Sequence, residues 1–233
     1  MVIGILQPGY LPWLGFFEQL HHSDVFVLYD DVQYDKNGWR NRNRIKTADG
    51  IRWLTVPVQA SLSGQTLIHQ VKIDHNSNWA RKHLLSISQS YSKAPFYRDY
   101  LPLFEEAYSR QWDHLIDLDL HFISKLAQAL GLDTRKLVRS STIAIEGDTS
   151  GRLINICRKF GADIFYEGAA GRDYIDTEAF ATAGVTVRFQ DYHHPTYRQL
   201  HGGFTPYLSV IDLLFNHGPE SLSILTLKGA PTS

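Results

Sequence analysis

Gln7-Pro8-Gly9-Tyr10-Leu11-Pro12-Trp13-Leu14-Gly15-Phe16-Phe17 follows directly on the apolar run Val2-Ile3-Gly4-Ile5-Leu6 and leads into a helical pattern. A continuous apolar run of this length is what a strand buried on both faces of a parallel sheet requires. A simple strand–helix connector needs little beyond a glycine and a polar cap. This one carries two prolines, two glycines and two large aromatics, Tyr10 and Trp13. Loops between a buried strand and a helix N-terminus lie where α/β proteins bind anionic ligands. A second apolar run at residues 25–29 closes the helix into a β-α-β unit with a right-handed crossover.

Working outward, residues 30–46 are polar and irregular, with Asn37-Gly38 as a turn signal. Residues 43–46 and 51–58 read as a hairpin around Ala48-Asp49-Gly50, 61–65 as a surface loop and 68–73 as a further strand. Apolar residues at three- and four-residue spacing predict helices over 79–91, 97–108 and 114–130. Strand patterns return at 136–139, 163–166 and 185–189, alternating with helices at 150–160 and 174–183, and a last helix covers 207–216. Alternating helices and strands at both ends, with a helical block between them, define an α/β chain with a mainly parallel sheet flanked by helices. The expected organisation is one domain over 1–233. A first β-α-β part and hairpin occupy 1–75, a helical insert 76–133 and a second α/β part 134–233.

The 233 residues are 43% hydrophobic, enough for one sizeable core, and the formal net charge of −1 gives no global pull toward nucleic acid or membrane. Any anion site must come from local clustering. Cys157 is the single cysteine, which excludes an intramolecular disulfide and a Cys-rich zinc site. No apolar stretch approaches the roughly 18 residues of a membrane span, and the N-terminus lacks a secretory pattern, so a cytoplasmic protein is expected.

Four clusters fall after expected strands or at expected helix starts, positions that gather along the carboxyl edge of a parallel sheet. In the opening loop, Gly15 permits close backbone approach, while Tyr10 and Trp13 are suited to stack on a base, a sugar face or an acyl chain. Asp30, Asp31 and Asp35 follow the second strand; carboxylates there can act as a base, hold Mg²⁺ or bind sugar hydroxyls. In Trp39-Arg40-Asn41-Arg42-Asn43-Arg44 the three arginines project to one side of an extended segment, ready for bidentate recognition of phosphate or carboxylate. Finally, Tyr166-Glu167-Gly168-Ala169-Ala170-Gly171-Arg172-Asp173-Tyr174 repeats the strand, glycine-rich turn and helix start, a shape that forms anion nests.

His75, Trp79 and His83 at four-residue spacing would share a helix face, but no Glu or Cys completes a metal set, so no metal site is assigned. His193, His194 and His201 precede Gly202-Gly203 in a polar loop, expected to be mobile and able to close on a ligand. Cys157, in an amphipathic helix, reads as buried filler.

Gln7-Pro8-x-Tyr10-x-Pro12-Trp13-x-Gly15-Phe16-Phe17 resembles the start of the WbqC-like protein family. The likeness continues through Trp39-Arg40-Asn41-Arg42-Asn43, Trp79 with His83 and Tyr91, Tyr166-x-Gly168-x-x-Gly171-Arg172-x-Tyr174 and Pro206-x-Leu208-Ser209-x-x-Asp212-Leu213-Leu214-Phe215. The resemblance implies a place among proteins of bacterial surface-polysaccharide (O-antigen) synthesis, with acyl or aminoacyl transfer to the amine of a nucleotide-linked amino sugar as the expected activity. The donor would be a thioester, on coenzyme A or an acyl carrier protein, or an aminoacyl donor. No protein nucleophile is then required, in keeping with the lack of a Gly-x-Ser-x-Gly pattern. His83 or Asp31 would take the amine proton, Arg40, Arg42 and Arg172 would hold the diphosphate, and Tyr10 and Trp13 would stack on base or sugar. Gln7, Gly15, Asp30, Trp39, Asn43, Trp79, Gly168, Gly171 and Tyr174 complete the expected binding set.

The opening also resembles Rossmann-like nucleotidyltransferase (HUP-type) folds, whose first helix carries His-x-Gly-His. Here Trp13-Leu14-Gly15-Phe16 keeps only the glycine, so the backbone cradle is retained without its charge stabilisation. A nucleotidyltransferase and a non-catalytic nucleotide-sugar binder are the alternative readings.

Overall fold

The computed structural model describes residues 1–36, 38–59 and 66–227; the expected loop at 61–65 and Asn37 of the expected turn lie outside them. Five parallel strands form the central sheet: β1 (Val2–Leu6), β2 (Val25–Leu28), β7 (Leu137–Arg139), β8 (Ile164–Glu167) and β9 (Thr186–Phe189). Their order, β7-β2-β1-β8-β9, is the doubly wound 3-2-1-4-5 arrangement of a Rossmann-like α/β fold. The chain reverses its direction of travel across the sheet between β1 and β8, which opens a crevice at their carboxyl ends.

Each face of the sheet has its own apolar layer because successive strand residues point to opposite sides. Ile3, Ile5, Val27 and Phe165 pack under α5 (Thr149–Phe160) and α6 (Thr177–Thr182). Phe26 and Leu28 face a larger cluster built with α1 (Leu14–His21), α7 (Val210–His217) and α8 (Ser221–Thr226). The helices of the insert, α2 (Trp79–Tyr91), α3 (Tyr97–Ser109) and α4 (Leu115–Ala129), bury residues in that same cluster. Phe215 of α7 stacks on Tyr91 at 4.9 Å and meets Phe104 at 5.4 Å, so the insert is welded to the core.

The expected hairpin is β3 (Arg42–Thr47) paired with β4 (Gly50–Thr55), with Arg44 opposite Trp53. It stops at Thr55 because Pro57 has no N–H to continue the ladder. Three expectations are corrected. Residues 68–73 are not one strand: a 3-10 turn, Ile68–Gln70, precedes the two-residue strand β6 (Lys72–Ile73), which pairs with β5 (Val58–Gln59). The helix expected from 174 begins at Thr177, where the Asp176 side chain caps Ala179 N–H, and Ala169–Asp173 is a 3-10 turn. The helix expected from 207 begins at Val210, since Ser209 caps it and Tyr207 has φ 58°, outside helical space. Among the described residues no helix is long and apolar enough to cross a membrane.

Candidate functional site

The proline-rich loop and the arginine segment are stitched together at the carboxyl edge of β1. Tyr10 N–H donates to Arg40 O at 2.9 Å, and Arg40 Nη1 returns bonds to Gln7 O (2.9 Å) and Pro8 O (3.2 Å). Asn43, facing inward from β3, donates to Leu11 O at 2.7 Å. The next turn of chain closes the other side: Ser209 N–H donates to Arg44 O and Val210 N–H to Pro12 O. A Cβ on Gly15 would lie 2.2 Å from the Trp13 ring, so glycine lets that indole fold back over the first turn of α1. Between these segments lies a hollow of about 450 Å³, walled by Tyr10, Trp13, Phe16, Trp39 and Tyr207, with Gln7, Arg40, Asn43 and Arg44 as its polar groups.

A second cavity of about 560 Å³ occupies the crevice between β1 and β8. Leu6, Gln7 and Arg40 line both cavities, which makes them two compartments of one tract. The crevice is the more polar compartment, with Thr149, Ser150 and Arg152 at the start of α5 opposite Glu167 and Tyr174. Among the described residues, Arg40 and Arg44 form no ion pair with a carboxylate, and the Nε–H of each is buried without a hydrogen-bond partner. Burial pulls the Arg40 guanidinium below its ordinary range. The buried Asp119 carboxylate acts on Arg40 from behind the wall, and Arg44 Nη2 donates to Tyr207 O at 2.9 Å; the two guanidinium groups give this wall its positive charge.

Glu167, the last residue of β8, is 5% exposed. Burial pushes its carboxyl up to about 7, against the smaller opposing effects of the Tyr174 hydroxyl, 3.0 Å from Oε1, and the Gly168 N–H. Gly171 is the reason the chain turns so tightly here: a Cβ at that position would meet Glu167 Cγ at 2.3 Å. A carboxyl that titrates near neutrality is matched to taking a proton and giving it back.

Several expected site residues lie outside this tract. Asp31 is held by Arg152 and by the Ser140 hydroxyl, so it orients the arginine that lines the crevice. Asp30 is fully buried and accepts from Arg139 Nε (2.7 Å), Ser141 N–H (2.9 Å) and the Ser140 and Ser141 hydroxyls, joining the ends of β2 and β7. Those donors outweigh its desolvation and hold its carboxyl below the usual range. His83 sits behind the loop, its Nδ1 2.9 Å from the Tyr10 hydroxyl, which also meets the Tyr108 hydroxyl; Trp79 packs against the same imidazole. Burial lowers His83 to about 4, which keeps it neutral. Arg42 donates to Gly38 O and lies over Trp53, while Arg172 stacks over Phe189.

Other readings are adjusted by the packing. His75 precedes α2 and bonds Trp112 O, so it does not share a helix face with Trp79 and His83. The histidine loop is anchored: Lys46 Nζ bonds Gly202 O, Gly203 O and the Gln199 side chain, and His201 Nε2 lies 2.7 Å from Ser90 O. Cys157 is buried and unpaired, its thiol pushed up to about 12 by burial.

Sequence reasoning gave no role to Glu167, Arg152 or Tyr207. Glu167 stood directly after the strand expected at 163–166, and that position was the available signal. Its burial beneath Tyr174 and Gly171 was not visible in one dimension. Arg152 lies on a helix whose start faces the crevice only because β8 is inserted beside β1.

The topology defines a Rossmann-like α/β protein with two adjoining cavities at its switch point. The chain belongs to the WbqC-like protein family, whose model matches residues 7–224. It is 35% identical over 221 residues to "Uncharacterized protein Rv1507c" of Mycobacterium tuberculosis (strain ATCC 25618 / H37Rv), covering 94% of this chain and 95% of that protein. No solved structure matches the chain.

Proposed function

We propose that the protein transfers an acyl or aminoacyl group to the amine of a nucleotide-linked amino sugar in bacterial surface-polysaccharide synthesis. The observation that carries this reading is Glu167, a buried carboxyl poised near pH 7 inside a crevice that also holds Arg40 and Arg152. In this reading the sugar nucleotide lies in the polar crevice. Its diphosphate meets Arg152, Ser150 and Thr149, and its amine faces Glu167. The donor thioester enters through the aromatic hollow and meets the amine beside Gln7 and Arg40.

The amine attacks the thioester carbonyl, Glu167 takes the proton released from nitrogen, and the C–S bond breaks. The departing thiolate then receives a proton, regenerating the carboxylate. The Arg40 guanidinium, which lines both compartments, stabilises the oxyanion formed in between. His83 supports the Tyr10 wall and Asp31 the Arg152 guanidinium; neither is asked to move the proton.

The test is incubation with UDP- or dTDP-linked amino sugars and a thioester donor, with the product followed by mass. Glu167→Gln is expected to retain sugar-nucleotide binding and lose transfer by 10²-fold or more. Absence of product with a bound sugar nucleotide, or full turnover by the variant, overturns the reading and leaves a binding protein.

A further inference from the structure

The hairpin β3–β4 and Trp39 just before it carry a cation–aromatic ladder whose exposed face, outside the hollow, the chemistry above does not use. Trp39 and Trp53 are each 45% exposed, their ring centroids 5.1 Å apart. Arg42 lies over Trp53 at 5.0 Å, and Arg44 over Trp39 at 5.3 Å and over Trp53 at 5.6 Å. Cross-strand pairing of Arg44 with Trp53 fixes this register, so the ladder is built into the hairpin. Trp39 and Arg44 also line the aromatic hollow, which makes the ladder continuous with its mouth.

We infer that this ladder docks the phosphorylated nucleoside end of the acyl donor, so that the donor is a nucleotide-borne acyl group whose reactive end reaches down the aromatic hollow. The inference rests on the transferase reading for the identity of the ligand as donor. Indole faces supply stacking area for a base, and guanidinium groups supply charge for phosphate, the combination that recognises single nucleotides and short single strands. A neutral glycan would stack on the same indoles but would leave the charge of Arg44, which forms no ion pair among the described residues, without a counter-anion. The apolar wall beyond the mouth suits a flexible arm and an acyl group. A small coenzyme and the acylated 3′ end of an RNA share this recognition chemistry, the RNA ester breaking a C–O bond and releasing a ribose hydroxyl where the thioester breaks C–S and releases a thiol.

The test measures binding of coenzyme A, the ribotrinucleotide CCA and pantetheine, which lacks the nucleotide, to the full chain by calorimetry. One of the two nucleotide ligands is expected to bind at least about tenfold tighter than pantetheine, the worth of one stacked base. Preference for coenzyme A identifies the small carrier, and preference for CCA the RNA end. Trp53→Ala, at a half-exposed position outside the wall of the hollow, is expected to erase that advantage and leave pantetheine binding unchanged, and Trp53→Leu, which keeps an apolar side chain without the flat indole, provides the same check should the first variant fold poorly. Equal binding of all three ligands overturns the inference, as does an advantage that survives both variants. A change of oligomeric state on substitution with the preference intact overturns it as well. Transfer from an N-acetylcysteamine thioester, which has no nucleotide, is measured in parallel. Failure of transfer from it and from both nucleotide-borne donors, acyl-coenzyme A and aminoacylated RNA, removes the transferase reading without touching the ladder's preference, and its success with no nucleotide preference removes the ladder alone.

Discussion

Glu167→Gln tests the site through stability, with no substrate present. Glu167 titrates near 7 in the fold against an ordinary 4.5, so the folded chain holds its proton more tightly than the unfolded chain. Between those pH values folding becomes less favourable as pH rises, by about 3 kcal/mol in all at ~1.4 kcal/mol per pKa unit. His83 runs the other way. Its folded value of about 4 lies below the ordinary 6.5, so the stability of the neutral imidazole is complete above 6.5 and is lost as pH falls toward 4. That effect is also about 3 kcal/mol.

The two slopes therefore oppose one another between about pH 4.5 and 6.5, and the native chain is expected to show little pH dependence from this pair. The glutamine variant removes one slope and leaves the other. Relative to the native chain, Glu167→Gln is expected to gain about 3 kcal/mol between pH 4.5 and 8, most of it before pH 7, while His83→Gln gains in the opposite direction as pH falls. Urea denaturation at constant ionic strength from pH 4.5 to 9 measures both differences. A Glu167→Gln curve parallel to the native one would refute the claim that this carboxyl is buried and poised, and with it the proton-transfer role.

Other consequences follow from the same contacts. Asp30→Asn leaves Arg139 beside a neutral amide and weakens the join between β2 and β7; a loss of about 3–5 kcal/mol is expected in chemical denaturation. Gly15→Ala drives a methyl into the Trp13 ring, with an expected cost of about 1–3 kcal/mol and a shift of indole fluorescence, while sugar-nucleotide binding in the crevice is unchanged. Arg152→Ala is expected to weaken sugar-nucleotide binding by about 1.5–3 kcal/mol in calorimetry, with pantetheine binding unaltered. If the chain is the proposed transferase, its activity rises with pH to a plateau above about 7, as Glu167 becomes a carboxylate, and the pH–kcat profile checks this.

The sheet was legible because its strands obey a local rule: runs such as Val2–Leu6 are apolar throughout, as burial on both faces demands. The loop that follows was legible as an elaborate strand–helix turn from its prolines, glycines and aromatics, and Arg40 proved to be bonded to its carbonyls. What could not be read was which charges would be answered. Asp31 looks like a free carboxylate until α5 brings Arg152 against it, and His83 looks like a base until α2 and α3 enclose it with Tyr10 and Tyr108. Glu167 reverses the pattern, an unremarked strand end that acquires its chemistry by losing water. Pairing and desolvation are sums over residues far apart in the chain, 121 positions for Asp31 with Arg152 and 73 for Tyr10 with His83. A sequence therefore discloses where a site will form sooner than it discloses which of its acids and bases remain available.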